Sequence, residues 1–244
     1  MSDVSVNKIV LFKKYVVNSG AVSFEKAEEK VTTTTNLYLG NRIYVDDIGS
    51  YSIGCRAYAY KNGKKIYGFL TAGHDTKLNA KVYYVISNEI DVKSPLGKVV
   101  GRKFGGSIDC SFVQVTNSKY HMTNKIKNAN GKSLSKYVAC TPTEGEIVYK
   151  SGYNGGTTKG KVLATNVTAR VGNITLKHFC EASYKTKHGD SGGVVYHHGD
   201  YEFVGLQSLG SDMGEDNYFN KSSYCDQDYI FNENWGGLTG IMWY

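Results

Sequence analysis

No segment of this chain is apolar over the roughly 20 residues that a transmembrane helix needs, although hydrophobic residues make up 41% of its 244 residues. Neither sign of charge is concentrated in one region. The 29 basic and 22 acidic residues are scattered and leave a formal net charge of +7, which is typical of a solvated surface. We therefore expect a globular protein with no membrane span and no nucleic-acid-binding patch.

Cysteine is scarce and follows no metal-binding pattern. The five cysteines include no Cys-x-x-Cys pair, so a zinc site is not expected. Their odd number leaves at least one thiol free. The adjacent His197 and His198 could suggest a metal ligand pair, but with Gly199 and Asp200 they also fit a hairpin turn, which we favour. We expect no metal and no cofactor.

Proline is nearly absent, with 2 residues, whereas glycine reaches 28 and tyrosine 20. With many Val, Thr and Ile residues, this composition predicts an all-β protein with tight glycine turns. Asn62-Gly63 is a strong signal for a two-residue hairpin turn. The polar run over 117–135 is typical of a linker between two strand-rich halves. The segments that read as strands are 37–44, 57–60, 66–71, 82–86, 97–100, 110–115, 146–150, 160–166, 174–179, 193–196 and 203–208.

The stretch KHGDSGGVVY, residues 187–196, places Ser191 between glycines. Glycine lets the backbone turn tightly and lets a substrate approach without meeting a Cβ. Amide N–H groups in such a turn can converge on one point, as a developing oxyanion requires. The alternative is an ordinary Gly-Asp-Ser turn between two strands.

Two earlier stretches supply partners for a serine nucleophile. FLTAGH ends an apolar run at His74, and SIDCSFV places Asp109 at the start of another. A serine hydroxyl needs a base to accept its proton, and histidine has a suitable pKa. That imidazole needs a carboxylate to fix its tautomer and stabilise its charged form. His74, Asp109 and Ser191 therefore form a candidate catalytic triad.

TAGH, a strand-borne Asp and GDSGG in this order resemble the chymotrypsin-like serine proteases. The segments 52–55, 149–162 and 205–210 are similar to the bacterial streptogrisin and α-lytic protease branch. The resemblance implies two packed antiparallel Greek-key β-barrels with the active site in the cleft between them. It also implies a first barrel at 36–120, a second at 136–244 and an endopeptidase that acts on polypeptides through an acyl-enzyme. The alternatives are a catalytically inert binding protein of the same fold and an esterase with the same triad.

The resemblance also assigns further site residues. The backbone N–H groups of Gly189 and Ser191 would form the oxyanion hole. Ser208 would lie beside Asp109, and the substrate-binding residues would be His188, Ser208, Leu209 and Gly210. A direct count puts Lys185 where a trypsin-like enzyme has Asp, which argues against cleavage after Lys or Arg. Gln207 stands where glutamate-cleaving relatives have His, and the insertion 212–224 lies next to the pocket. We expect a large apolar or acidic preferred residue.

Residues 1–35 differ in sequence pattern from the rest of the chain and resemble the tail of a pro-region. We expect an N-terminal arm that is a pro-segment remnant or a brace. The sequence shows no signal peptide, yet the resemblance implies a secreted monomeric zymogen-type protein. In the family a cysteine follows the catalytic histidine, whereas here Asp75 does, so Cys55 lacks its usual partner. The resemblance makes Cys180 and Cys225 the best candidates for a disulfide.

Overall fold

A computed structural model describes residues 34–135 and 142–244 of the chain. The predicted arm at 1–35 lies outside the described residues except for Thr34 and Thr35, and Cys140 lies outside them as well. Residues Thr35–Tyr244 form one compact unit. No helix among the described residues is long and apolar enough to cross a membrane.

The regular structure of the described chain is almost entirely strand, so the prediction of an all-β protein is confirmed. One six-residue helix, α1 (Gln227–Asn232), precedes the last strand. The strands are β1 (Thr35–Leu39), β2 (Arg42–Val45), β3 (Gly49–Ser52), β4 (Arg56–Lys61), β5 (Lys64–Thr71), β6 (Lys81–Ile86), β7 (Glu89–Ile90), β8 (Gly97–Gly105), β9 (Ile108–Val115), β10 (Tyr120–Ile126), β11 (Ile147–Gly152), β12 (Gly156–Val171), β13 (Ile174–Ala182), β14 (Val194–His197), β15 (Phe203–Met213), β16 (Phe219–Asp226) and β17 (Thr239–Trp243).

These strands form two main sheets. The first has nine strands in the order β17-β4-β5-β9-β8-β6-β2-β3, with β7 paired to β6. The second closes into a six-stranded barrel, β11-β12-β13-β16-β15-β14. The C-terminal strand β17 pairs with β4 and so joins the first sheet. The last strand of the predicted second barrel (136–244) therefore pairs with a strand of the predicted first barrel (36–120). The division of the chain into these two domains stays a prediction.

Local sequence explains the strands that carry the site. Asn62 and Gly63 both take positive φ, 50° and 72°, in the turn between β4 and β5, as a type I′ turn requires. The predicted hairpin is confirmed. Gly68–Thr71 at the end of β5 are buried, and so are the first six residues of β9. These two strands lie side by side in the middle of the first sheet, where burial on both faces suits continuous apolar runs.

Residues 117–135 are not simply a linker. They contain β10, which pairs in parallel with β1 to form a separate two-stranded sheet. Tyr120, Met122 and Ile126 are buried, because their side chains join the main hydrophobic core.

The candidate disulfide between Cys180 and Cys225 is wrong. Both are free thiols, as are Cys55 and Cys110. On the paired strands β13 and β16, Cys180 lies opposite Tyr224 rather than Cys225. Because successive residues of a strand point to opposite faces, the two thiols enter different clusters. Cys180 packs in a small cluster within the second barrel, and Cys225 packs in the main core.

Candidate active site

Strands β5 and β9 bring His74 and Asp109 together. Asp109 lies on β9 and is completely buried, and His74 follows the end of β5. The Asp109 carboxylate accepts hydrogen bonds at Oδ1 from the backbone N–H groups of Gly73 and His74, both at 2.7 Å. Its Oδ2 lies 2.6 Å from His74 Nδ1. The carboxylate therefore fixes both the loop and the imidazole that the loop carries.

Ser191 completes a continuous line of three side chains. Its Oγ lies 3.0 Å from His74 Nε2, on the opposite side of the ring from Asp109. Ser191 sits in the turn before β14, where Gly189 and Gly192 take positive φ of 93° and 80°. These are conformations that glycine adopts without strain. The structure thus brings the three residues of the candidate triad within hydrogen-bonding distance.

The electrostatics of the pair favour a charged imidazole beside a charged carboxylate. Burial by itself lowers the pKa of His74, but the charge of Asp109 and the hydrogen bond to it outweigh burial and raise that pKa above 6.5. Burial by itself raises the pKa of Asp109, but His74 and the hydroxyl of Ser208 outweigh it and hold that pKa below 3.8. Ser208 Oγ donates a hydrogen bond to Asp109 Oδ2. The site is therefore built to stabilise an imidazolium–carboxylate pair.

Two aromatic side chains flank the imidazole, and no sequence motif identifies them. The Tyr51 ring centroid lies 5.8 Å from that of His74, and the Phe104 centroid lies 6.0 Å from it. The Tyr51 hydroxyl also donates to the His74 carbonyl oxygen at 3.0 Å. These contacts limit the positions that the ring can take.

Ser52, at the end of β3, joins the first sheet to the turn that carries Ser191. Its backbone N–H donates to the Ser191 carbonyl and its hydroxyl donates to the Gly189 carbonyl, both at 2.9 Å. The same hydroxyl accepts from the Tyr153 N–H at 2.9 Å. One residue therefore connects three segments around the turn.

Asp190 is held from the side of the second barrel. Its Oδ2 lies 2.6 Å from Lys150 Nζ, and both side chains are fully buried. Its Oδ1 accepts from the N–H groups of Asn154 and Gly155, and its Oδ2 accepts from that of Lys187. Burial lowers the pKa of Lys150, and the Asp190 carboxylate opposes that change. This buried network fixes the backbone on the N-terminal side of Ser191.

The candidate substrate-binding residues line one cleft of about 290 Å³. Its lining includes Ser191 and His74 together with His188 and the segment 207–210. The backbone N–H groups of Gly189 and Ser191, the candidate oxyanion donors, have no hydrogen-bond acceptor within residues 34–135 and 142–244.

Lys185 lies outside the cleft lining. Its ammonium lies 2.6 Å from the Asp216 carboxylate, and both side chains are about half exposed. Asp216 belongs to the insertion 212–224, so Lys185 pairs with that insertion and does not line the cleft. The same insertion supplies Phe219, a lining residue that no sequence motif identifies. Its ring packs edge-on against His188, at a centroid distance of 5.1 Å.

Of the two adjacent histidines, His197 ends β14 and His198 begins the turn to β15. His197 Nδ1 is 3.2 Å from Asp200 Oδ1, and His198 stacks on Tyr149. No group of three or more His, Cys, Asp or Glu side chains suitable for a metal occurs in the part of the chain that the structure describes.

Solved structures share this fold. Cellulomonas bogoriensis chymotrypsin is 21% identical, with a TM-score of 0.64. Thermobifida fusca protease A is 22% identical, with a TM-score of 0.65. The Nocardiopsis protease NAPase is 23% identical, with a TM-score of 0.65. Each comparison covers 84% of this chain and 98% of the other.

These likenesses confirm the expected fold, that of two packed β-barrels as in the chymotrypsin-like bacterial serine proteases. No protein-family model matches the chain, and no curated protein matches it.

Proposed function

We propose that this protein is a serine endopeptidase. The observation that carries the proposal is the hydrogen-bonded line from Ser191 Oγ through His74 to Asp109, with distances of 3.0 and 2.6 Å. Its fold is that of solved bacterial serine proteases. A nucleophile, a base and a group that orients the base are the parts that acyl transfer requires.

In the proposed cycle Ser191 Oγ attacks the carbonyl carbon of a peptide bond while His74 Nε2 accepts its proton. Asp109 stabilises the imidazolium that forms. His74 then gives the proton to the leaving amine, and the acyl group stays on Ser191 as an ester. Water, deprotonated by His74, attacks that ester and releases the second product. The catalytic residues are restored with each turnover.

The N–H groups of Gly189 and Ser191 would stabilise the oxyanion in both steps. Removing one such donor in a related enzyme costs about 10²–10³ in rate. The network around Asp190 and the bonds from Ser52 support this assignment, because they fix the backbone on which both donors depend.

The segment 208–210 gives the proposal its substrate class. It begins at Ser208, the last buried residue of β15, and Leu209 and Gly210 line the cleft next to Ser191. An extended polypeptide could pair with this backbone edge as an added strand. An esterase would need no such edge, so we favour peptide substrates over simple esters.

The proposal is tested by hydrolysis of a peptide mixture by the parent protein, by Ser191→Ala and by His74→Ala. We expect cleavage by the parent and loss of activity in both variants. The double variant should be no worse than either single one, because triad members act as a unit. Peptide hydrolysis by Ser191→Ala within tenfold of the parent would exclude Ser191 as the nucleophile. Absence of cleavage by the parent would favour an inert binding protein.

A further inference from the structure

The cleft beside Ser191 contains two buried polar side chains that the proposed catalytic steps do not use. Thr186 exposes 1% of its surface and Gln207 exposes 2%, and both line the cleft. Buried polar groups in proteins are nearly always hydrogen-bonded. Their remaining hydrogen-bonding capacity therefore indicates what chemical group the cleft receives.

The Gln207 amide has one donor left over. Its Nε2 donates to the Leu209 carbonyl oxygen at 2.9 Å. Because a carbonyl oxygen can only accept, this bond settles which end of the amide is nitrogen. The amide oxygen Oε1 then accepts from the Tyr184 hydroxyl at 2.8 Å. An amide nitrogen carries two hydrogens, so one N–H of Gln207 is not used by these contacts.

The Thr186 hydroxyl is left as an acceptor. Ser222 Oγ donates to the Tyr184 carbonyl oxygen at 3.1 Å, which uses the only proton of that hydroxyl. The 2.8 Å contact between Thr186 Oγ1 and Ser222 Oγ must then have Thr186 as its donor. The Thr186 hydroxyl therefore uses its only hydrogen in the bond to Ser222 and keeps a lone pair that can accept a hydrogen bond.

The cationic side chains around the cleft have partners elsewhere. Lys187 lines the cleft, and its Nζ lies 4.0 Å from the centre of the Tyr218 ring, which is outside the lining. Lys185 pairs with Asp216. His188, packed edge-on against Phe219, and Lys187 are the lining groups that could favour an acidic ligand.

We propose that this cleft selects a neutral carboxamide side chain, that of glutamine, in the residue whose carbonyl Ser191 attacks. The side-chain oxygen would accept the free N–H of Gln207, and the side-chain nitrogen would donate to Thr186 Oγ1. A glutamate carboxylate has no proton to donate, so it would place an oxygen against the Thr186 lone pair. This specificity rests on the proposed peptidase function, and it differs from the expectation of a large apolar or acidic preferred residue, which stays untested.

The test uses one peptide sequence with Gln, Glu, Met or Leu before the scissile bond, assayed at pH 8 with the full-length protein. We expect kcat/KM for Gln to exceed that for Met at least about tenfold, because Met leaves two buried polar groups unpaired. We expect Gln to exceed Glu at least about 100-fold, because the carboxylate adds a buried charge. Equal or faster cleavage after Glu, Met or Leu would overturn the proposal, and a Glu preference would point to His188 and Lys187.

Two substitutions test whether Thr186 and Gln207 produce the preference for Gln. Thr186→Val keeps the shape of the side chain and removes the acceptor, so the Gln-to-Met ratio should fall at least about fivefold. Gln207→Met should lower the same ratio by removing the donor. The control is Thr123→Val, which removes a threonine hydroxyl bonded to Leu37 in another part of the fold and should leave the ratio unchanged. An unchanged ratio in both Thr186→Val and Gln207→Met, with labelling of Ser191 by a fluorophosphonate retained, would overturn the assignment.

Binding separates this inference from the proposed function. The same peptides, fluorescently labelled, are titrated with the Ser191→Ala protein. This measurement gives the affinity of each peptide without any hydrolysis. Tighter binding of the Gln peptide than of the Met and Glu peptides supports the carboxamide site, even if the parent protein cleaves none of them. Equal binding of all the peptides overturns the site, whether or not the parent is an active peptidase.

Discussion

Lys150 and Asp190 form an ion pair with both side chains fully buried and 2.6 Å between Nζ and Oδ2. Lys150 lies on β11 of the second barrel, and Asp190 immediately precedes the candidate nucleophile. Asp190 also accepts from three backbone N–H groups, two of them at 153–155 on the turn that follows β11. The position of the Ser191 turn therefore depends on a charge that lies 40 residues earlier in the chain.

Lys150→Met tests that dependence. Removing one partner of a buried pair leaves the other charge uncompensated, which costs about 3–5 kcal/mol in the free energy of unfolding. We expect a loss of that order in urea denaturation, together with a fall in fluorophosphonate labelling of Ser191. The matched control is Lys185→Met, which breaks the half-exposed pair with Asp216 and should change stability much less. Equal effects of the two substitutions would contradict a structural role for the buried pair.

The pH dependence of peptide hydrolysis reports the protonation of His74. Only the neutral imidazole can accept the Ser191 proton, and the Asp109 carboxylate raises the pKa of His74 above 6.5. Activity should therefore be lost as the pH falls through that raised pKa and should be restored above it. The measurement is kcat/KM from pH 5 to 9, which follows the free enzyme. A flat profile, or a midpoint below 6.5, would contradict the described His74–Asp109 geometry.

The thiols provide an independent test of the fold. Cys55, Cys110, Cys180 and Cys225 are buried and unpaired. Burial raises the pKa of Cys180 to about 12 and raises the pKa values of the other three as well, so each is held as an unreactive thiol. We expect a polar thiol reagent to modify no more than one of the five cysteines in the native protein and all five in guanidinium chloride. Modification of two or more native cysteines, or a melting temperature that falls on adding reductant, would contradict this arrangement.

The sequence reveals the parts of the site that occupy short contiguous motifs. His74, Asp109 and Ser191 each lie in a local pattern that links residue type to chemistry, and the structure brings all three together. The Asn62-Gly63 hairpin is similarly local, because the turn itself requires positive φ. Signals of this kind identify a residue's role from its immediate neighbours in the chain.

Contacts between distant segments leave no such local signal. Nothing near Lys150 identifies Asp190 as its partner, and the interior of a barrel strand is an unusual place for a lysine. The sequence around strand β10 is polar and lacks a strong alternation of apolar and polar residues, so it predicts a linker. The strand forms through its pairing with β1, which is distant in the sequence. Lys185 pairs with Asp216 of the insertion 212–224, a contact that a residue count does not show, and no motif in that insertion identifies Phe219 as a lining residue.

The central claim is that Ser191 is a nucleophile activated by His74. Its most direct test is stoichiometric labelling of the full-length protein with a fluorophosphonate, followed by intact mass measurement and peptide mapping. We predict one adduct per molecule, located on Ser191, with labelling abolished in Ser191→Ala and at least about 10³-fold slower in His74→Ala. No adduct on the native protein, an adduct on another residue, or an undiminished labelling rate in His74→Ala would contradict the claim.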